Sequence, residues 1–144
     1  MLPVDCKYSD IRGQLTQLVH EGYQQVNILE SKAGAVRGRH YHKISSEAFF
    51  VISGSVIVTF EQDEKREMEK FVKNDFFLIK PYIKHSMSFC EDCILIALYN
   101  VPIEKGDGIK DIFASDAEWD INDKGYGDQL WYKKKFLIYN IKQY

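Results

Sequence analysis

Proline and cysteine are both scarce in this chain, three of each in 144 residues, and no long apolar run occurs anywhere. With so little proline and no low-complexity stretch there is no flexible linker, and the chain reads as ordered over most of its length. An odd number of cysteines makes no disulfide framework and fits a reducing compartment. The longest apolar runs, 48–52 and 93–99, fall far short of the roughly 20 residues of a membrane-spanning helix. An excess of charge is missing too: 19 Lys and Arg stand against 21 Asp and Glu. That balance lacks the basic footprint of a nucleic-acid-binding protein. There is no glycine-rich phosphate loop and no repeat of fixed period. Near the start, Asp5, Cys6 and Lys7 sit where a signal peptide needs an apolar run, which predicts a protein made and kept in the cytoplasm.

What is present is aromatic and strand-like. Aromatic residues make up 14% of the chain, a composition that favours strands and supplies area for one core. Short apolar segments recur at 14–20, 23–30, 47–53, 55–61, 67–72, 76–80, 86–89 and 93–100. That rhythm, with turn signals between segments, predicts an all-β sandwich or barrel. Ser53-Gly54 predicts a tight hairpin between Phe49-Phe50-Val51-Ile52 and Val56-Ile57-Val58-Thr59-Phe60, and a second hairpin is expected at 62–65. The stripe from Phe49 to Ile52 reads as core. Any helix is short and lies within 101–127, Lys105 to Gly108 reads as a turn, and 131–144 reads as a closing strand with Lys133-Lys134-Lys135 on a solvated face. Cys90-Glu91-Asp92-Cys93 has the C-x-x-C spacing but neither the second pair of a zinc ribbon nor a βαβ setting, so it reads as a turn.

One constellation carries chemistry. His40 and His42, two apart on a strand, project from one face because side chains alternate with period two. Glu47 can return on the adjacent strand, and His85, after Pro81, supplies a third imidazole. Three histidines and a carboxylate make a nitrogen and oxygen metal site, suited to Zn, Fe, Mn, Co or Ni, with no thiolate to bias the choice.

The spacing around these residues is Gly34, five residues, His40-Tyr41-His42, four residues, Glu47, six residues, Gly54. It resembles the first signature motif of the cupin superfamily at every fixed position. The second cupin motif is matched more loosely: Asn74-Asp75 stands where Gly-Asp is usual, Pro81 and His85 fit, Tyr82 replaces a glycine and Phe89 replaces the closing Asn. The resemblance implies a cupin double-stranded β-helix, that is a jelly-roll barrel, in a single domain over 1–144, with the motif-bearing barrel at about 14–100 and a short C-terminal extension at 101–144. Asp10-Ile11-Arg12-Gly13 and Arg37-Gly38-Arg39-His40 narrow the likeness to the RmlC-like sugar-nucleotide cupins. These include dTDP-4-keto-sugar 3,5-epimerases, 3,4-ketoisomerases, and the C-terminal cupin domain of capsular UDP-hexulose enzymes. The last group is the most similar around His40, His42 and Glu47, although its Rossmann reductase half has no counterpart here.

What the resemblance implies is an epimerase or isomerase of a nucleotide-linked 4-keto sugar in surface polysaccharide synthesis. His40 is then either a general base beside a cation such as Arg37, Arg39 or Lys43, or a metal ligand with His42, Glu47 and His85. In the second case the base comes from outside the ligand set, and Tyr82 and His20 are the candidates, since in a regular strand Tyr41 points to the opposite face. Catalytic roles fall to His40, Tyr82 and Arg37, and substrate binding to Arg39, Lys43 and Arg12. A metal-dependent oxygenase and a non-catalytic small-ligand binder are the alternatives. The partner is a small molecule, with neither nucleic acid nor membrane, and a homodimer paired through an N-terminal strand is expected. Trp119, Trp131 and Tyr132 either cap the barrel or pack against its outside.

Overall fold

The computed structural model describes residues 1–104, 106 and 108–114. The closing strand expected at 131–144, together with Trp119, Trp131, Tyr132 and Lys133 to Lys135, lies outside the described residues. Eleven strands are described: β1 (Cys6–Asp10), β2 (Gly13–Gln17), β3 (Gln25–Ser31), β4 (Val36–Tyr41), β5 (Glu47–Ser53), β6 (Ser55–Gln62), β7 (Lys65–Val72), β8 (Phe76–Ile79), β9 (Lys84–Ser88), β10 (Cys93–Tyr99) and β11 (Phe113–Ala114). Among the described residues there is no helix. No described helix is therefore long and apolar enough to cross a membrane.

Two antiparallel sheets make the body of the protein, in the orders β3-β10-β5-β8 and β11-β4-β9-β6-β7. Period-two burial explains why they stack. Phe49 and Val51 of β5, Phe77 and Ile79 of β8 and Leu95 and Ala97 of β10 are at most 1% exposed, and they meet Val56, Val58, Phe71 and Met87 from the other sheet. Phe71 and Phe77 stack across the interior with ring centroids 3.8 Å apart, and Phe49 stacks on Phe77 in turn. Each such side chain contributes about 1.5–3 kcal/mol on burial. This is the all-β jelly roll that the motif resemblance implies.

The outer face of the four-stranded sheet is covered by the start of the chain. Leu2, Val4, Leu18, Val19 and Tyr23 pack on Ala48, Phe76 and Leu98, and the Leu2 N–H donates to the Phe76 carbonyl at the free edge of β8. Capping an edge in this way removes a template for aggregation. The pairing of β1 with β2 was not expected, because residues 6–10 carry no apolar alternation.

The hairpin expected across Ser53-Gly54 does not form. β5 pairs with β10 and β8, whereas β6 pairs with β7 and β9. One residue separates the two strands, and the tightest common hairpin loop needs two. The chain instead turns a corner from one sheet to the other at Gly54, where φ is 73° and a Cβ would come 2.3 Å from the Asp92 carbonyl oxygen. Ile52 departs from the expected core stripe: it lies at the register shift of β5 against β10 and is 38% exposed. The second hairpin forms as expected, with Asp63 and Glu64 at φ 49° and 63° in the loop between Gln62 and Lys65. Cys90 to Asp92 fall between β9 and β10, so the C-x-x-C segment is a turn entering a strand.

A candidate metal centre

Four elements converge at one end of the sandwich. His40 lies on β4 directly opposite His85 on β9, and His42 follows the end of β4. The strand is not regular there: Gly38 and Arg39 have φ of 85° and 62°, and Arg39 is the extra residue of a bulge between Gly38 and His40. Gly38 is required, since a Cβ would meet the His85 carbonyl oxygen at 3.0 Å. Glu47 does not return on an adjacent strand. It opens β5 in the facing sheet, so the carboxylate reaches the histidines across the sandwich.

The donor atoms of His40, His42, Glu47 and His85 all lie within 4.8 Å of one another. His42, Glu47 and His85 are at most 3% exposed, and His40 is half-buried. The His40 ring meets those of His42 and His85 edge-on, with centroids 4.9 and 4.7 Å apart. Glu47 Oε2 is 3.4 Å from both His42 Nε2 and His85 Nε2.

Hydrogen bonds decide which atoms face the centre. His42 Nδ1 donates to the Asp111 carbonyl and His85 Nδ1 to the Ile83 carbonyl. A backbone carbonyl only accepts, so each ring carries its proton on Nδ1 and turns a bare Nε2 inward. The Tyr99 hydroxyl donates to Glu47 Oε1, leaving Oε2 as the inward oxygen. His42 Nε2 and Glu47 Oε2 are then buried with no hydrogen-bond partner. Two lone pairs held face to face in a dry interior are costly unless a cation lies between them. The residues therefore fit a divalent ion in both donor chemistry and arrangement.

Burial, followed by the like charges of His85 and His42, pushes His40 down to about 4, so its ring is neutral at physiological pH. Burial pushes Glu47 up, but the neighbouring His42 and His85 rings and the Tyr99 hydroxyl outweigh it and hold it down to about 2. Burial lowers the His42 pKa, while Glu47 and the Asp111 carbonyl outweigh it and leave it raised. Tyr99 is raised by burial and by Glu47 beside it, and stays a donor.

The other expected site residues are distributed around this end and beyond it. Tyr82 is 61% exposed, and its N–H donates to the His42 carbonyl. It holds a φ of 65°, and Asn74 holds 75°. Both replace glycines of the second motif, so the backbone keeps a left-handed conformation that tolerates Asn and strains a tyrosine. Lys43 Nζ sits 4.0 Å over the Phe113 ring, and Phe113 stacks on Tyr41. Arg39 is exposed in the bulge. Arg37 bonds Ser31 Oγ and the Glu30 carbonyl on β3. Arg12 is not brought into the cluster: it lies in the β1–β2 turn with its guanidinium on Asp10. His20 is taken up by Asp5.

Two residues that sequence reasoning missed complete the centre. Tyr99 was one apolar position in an expected strand, and nothing local marks it as the donor to Glu47. Asp111 lies in a stretch without strand or helix rhythm, where no motif falls.

A search of curated proteins finds no sequence match. Among solved structures, QdtA, a sugar 3,4-ketoisomerase from Thermoanaerobacterium thermosaccharolyticum in complex with TDP, is similar with a TM-score of 0.63 and 20% identity over 77% of this chain and 84% of that one. The dTDP-4-dehydrorhamnose 3,5-epimerase of Sulfolobus tokodaii is similar with a TM-score of 0.57 and 20% identity over 71% and 70% of the two chains. CapF, a capsular polysaccharide assembling protein of Staphylococcus aureus, gives a TM-score of 0.55 and 22% identity over 79% of this chain but 33% of its own. All three share the cupin jelly roll. The polysaccharide biosynthesis C-terminal domain family matches residues 8–95, from the first strand through Leu95 of β10 and across all four clustered residues, and the chain belongs to that family.

Proposed function

We propose that this protein binds a divalent metal through His40, His42, Glu47 and His85 and epimerises or isomerises a nucleotide-linked 4-keto sugar for surface polysaccharide synthesis. The observation that carries the metal is the pair of buried, partnerless acceptors, His42 Nε2 and Glu47 Oε2, facing one another across the centre. The fold neighbours QdtA, solved with TDP, and the dTDP-4-dehydrorhamnose 3,5-epimerase support a sugar nucleotide as the substrate class, and the family supports the polysaccharide setting.

A divalent ion held there supplies a Lewis acid for a substrate ketone. His42, Glu47 and His85 would hold the ion from the buried side, and half-buried His40 would hold it from the more open one. With all four groups ligating, the proton next to the ketone is moved from outside the set. Tyr82 is the proposed carrier, its backbone tied beside the ligands by its N–H on the His42 carbonyl. Arg37, Arg39 and Lys43 are the cations proposed for the enolate and the diphosphate, with Arg12 a more distant anion contact.

Two measurements test the reading: metal content of untagged protein purified without chelator, and deuterium wash-in to candidate 4-keto sugar nucleotides in heavy water. About one ion per chain with ring exchange supports it. Oxygen uptake with a small organic substrate instead makes the protein an oxygenase, and thermal stabilisation by ligand with neither activity makes it a binding module. A second reading rests on His40, the most open of the three rings and uncharged with a pKa of about 4. It is the base of a metal-free epimerase if exchange occurs and no metal is found. The same proposal includes a homodimer, supported by edge strand β3 with Val26 and Ile28 61% and 69% exposed. A monomer mass in sedimentation overturns that part.

A further inference from the structure

The segment after β10 lies beyond the residues that the family matches, yet it reaches into the metal centre. Asp111 is 5% exposed and grips the loop after His42 at two kinds of point. Its carboxylate accepts three consecutive backbone N–H groups, from Lys43 at 2.9 Å, Ile44 at 3.0 Å and Ser45 at 2.8 Å. Its own carbonyl accepts from His42 Nδ1. Its N–H in turn donates to the Ile103 carbonyl. One residue therefore ties down both the loop that leaves His42 and the ring of His42.

We propose that Asp111 is a positioning residue for the metal centre: by clamping 43–45 with its carboxylate it fixes its carbonyl under His42 Nδ1 and so sets the tautomer that presents Nε2 to the ion. The physical basis is specific. A neutral imidazole has one proton to place, and an acceptor at Nδ1 decides that Nε2 is the bare nitrogen. The three amides of 43–45 would otherwise need partners of their own. The carboxylate satisfies them. The loop spans His42 to Glu47, so the same clamp sets the distance between two ligands contributed by opposite sheets. The inference rests on the proposed metal site for its consequence, but the tautomer it assigns exists in the metal-free protein.

The test uses the full chain with Asp111→Ala, Asp111→Asn and Gln25→Ala. Gln25 accepts from the Ile103 N–H, so its loss loosens the same strap without touching the loop or His42. Long-range proton–nitrogen NMR of the metal-free protein, followed upward in pH until the His42 ring is neutral, reads which of its nitrogens carries the proton. Titration with cobalt(II) reads affinity and the visible spectrum of the ion. Wild type should show His42 protonated on Nδ1. Asp111→Ala should mix the tautomers, weaken cobalt binding about 10- to 100-fold and alter its spectrum. Asp111→Asn, which keeps an acceptor for part of the loop, should fall between, and it carries the test alone if the alanine variant does not fold. Gln25→Ala should keep the wild-type tautomer and affinity. Asp111 variants with an unchanged tautomer overturn the proposal, as does a Gln25→Ala variant that loses cobalt as Asp111→Ala does. Wild-type protein that binds no cobalt overturns the metal reading, while the NMR still decides the role of Asp111.

Discussion

Two histidine–carboxylate groups in this protein contain the same chemistry and behave in opposite ways. At the N-terminal arm, His20 Nδ1 lies 2.5 Å from Asp5 Oδ2 with the side chains 65% and 29% exposed. At the centre, His42 and His85 each approach Glu47 at 3.4 Å with every side chain at most 4% exposed. In the first pair the imidazole faces the carboxylate directly and Gln17 Nε2 also donates to it, so the pair is a surface ion pair of small worth. In the second, backbone carbonyls have taken the Nδ1 protons and the inward nitrogens have none to offer. The difference teaches that a ligand set is made by what surrounds the outer atoms, since that decides whether the inner ones are donors or acceptors.

Removing a buried member should break the comparison most completely. Glu47→Ala or His42→Ala should reduce metal content from about one ion per chain to near none, measured by elemental analysis, whereas His20→Ala should leave it unchanged. Tyr99→Phe frees Glu47 Oε1 without removing a ligand, and should weaken metal binding about 10- to 100-fold, measured by competition with a chelator of known affinity. A wild-type affinity in that variant would show that the hydroxyl does not aim the carboxylate.

The pH response should sharpen the contrast, because the shifts run in opposite directions. Glu47 is held down to about 2 from an ordinary 4.5. Its contribution to the metal-free protein is complete above about 4.5 and is lost as the pH falls towards about 2. The melting temperature should drop over that window and flatten in Glu47→Gln. His20 is raised, first by its hydrogen bond to Asp5 and then by the charges of Asp5 and Glu21. Its contribution is complete below the ordinary histidine value and is lost as the pH rises through the raised one. Being exposed, it should move the melting temperature only slightly, and a large loss there would mean that the N-terminal arm matters more than its exposure suggests.

Much of this could be read from the chain in advance. The strand rhythm placed β2, β3 and β5 to β10 to within a few residues, because alternation of buried and exposed positions is written locally. The spacing from Gly34 to Gly54 singled out His40, His42 and Glu47 for the same reason: a motif is a local arrangement with a local turn. β1 was not legible, since most of its residues are exposed and bury no apolar face. The false hairpin at Gly54 came from treating neighbouring strands as partners when a single glycine between them permits only a corner.

Residue types and spacings along the chain thus determined that strands would form, which side chains each would bury, and that three imidazoles and a carboxylate were available as ligands. Those are properties of segments of five to eight residues, set by side-chain alternation and backbone sterics. Only the tertiary structure decided that Glu47 reaches the histidines from the opposite sheet, that Tyr99 takes one of its oxygens, and that Asp111 turns the bare nitrogen of His42 inward. Hydrogen bonds between residues 52 and 69 positions apart settle those orientations, and a contact of that range exists only once the sheets have closed on one another.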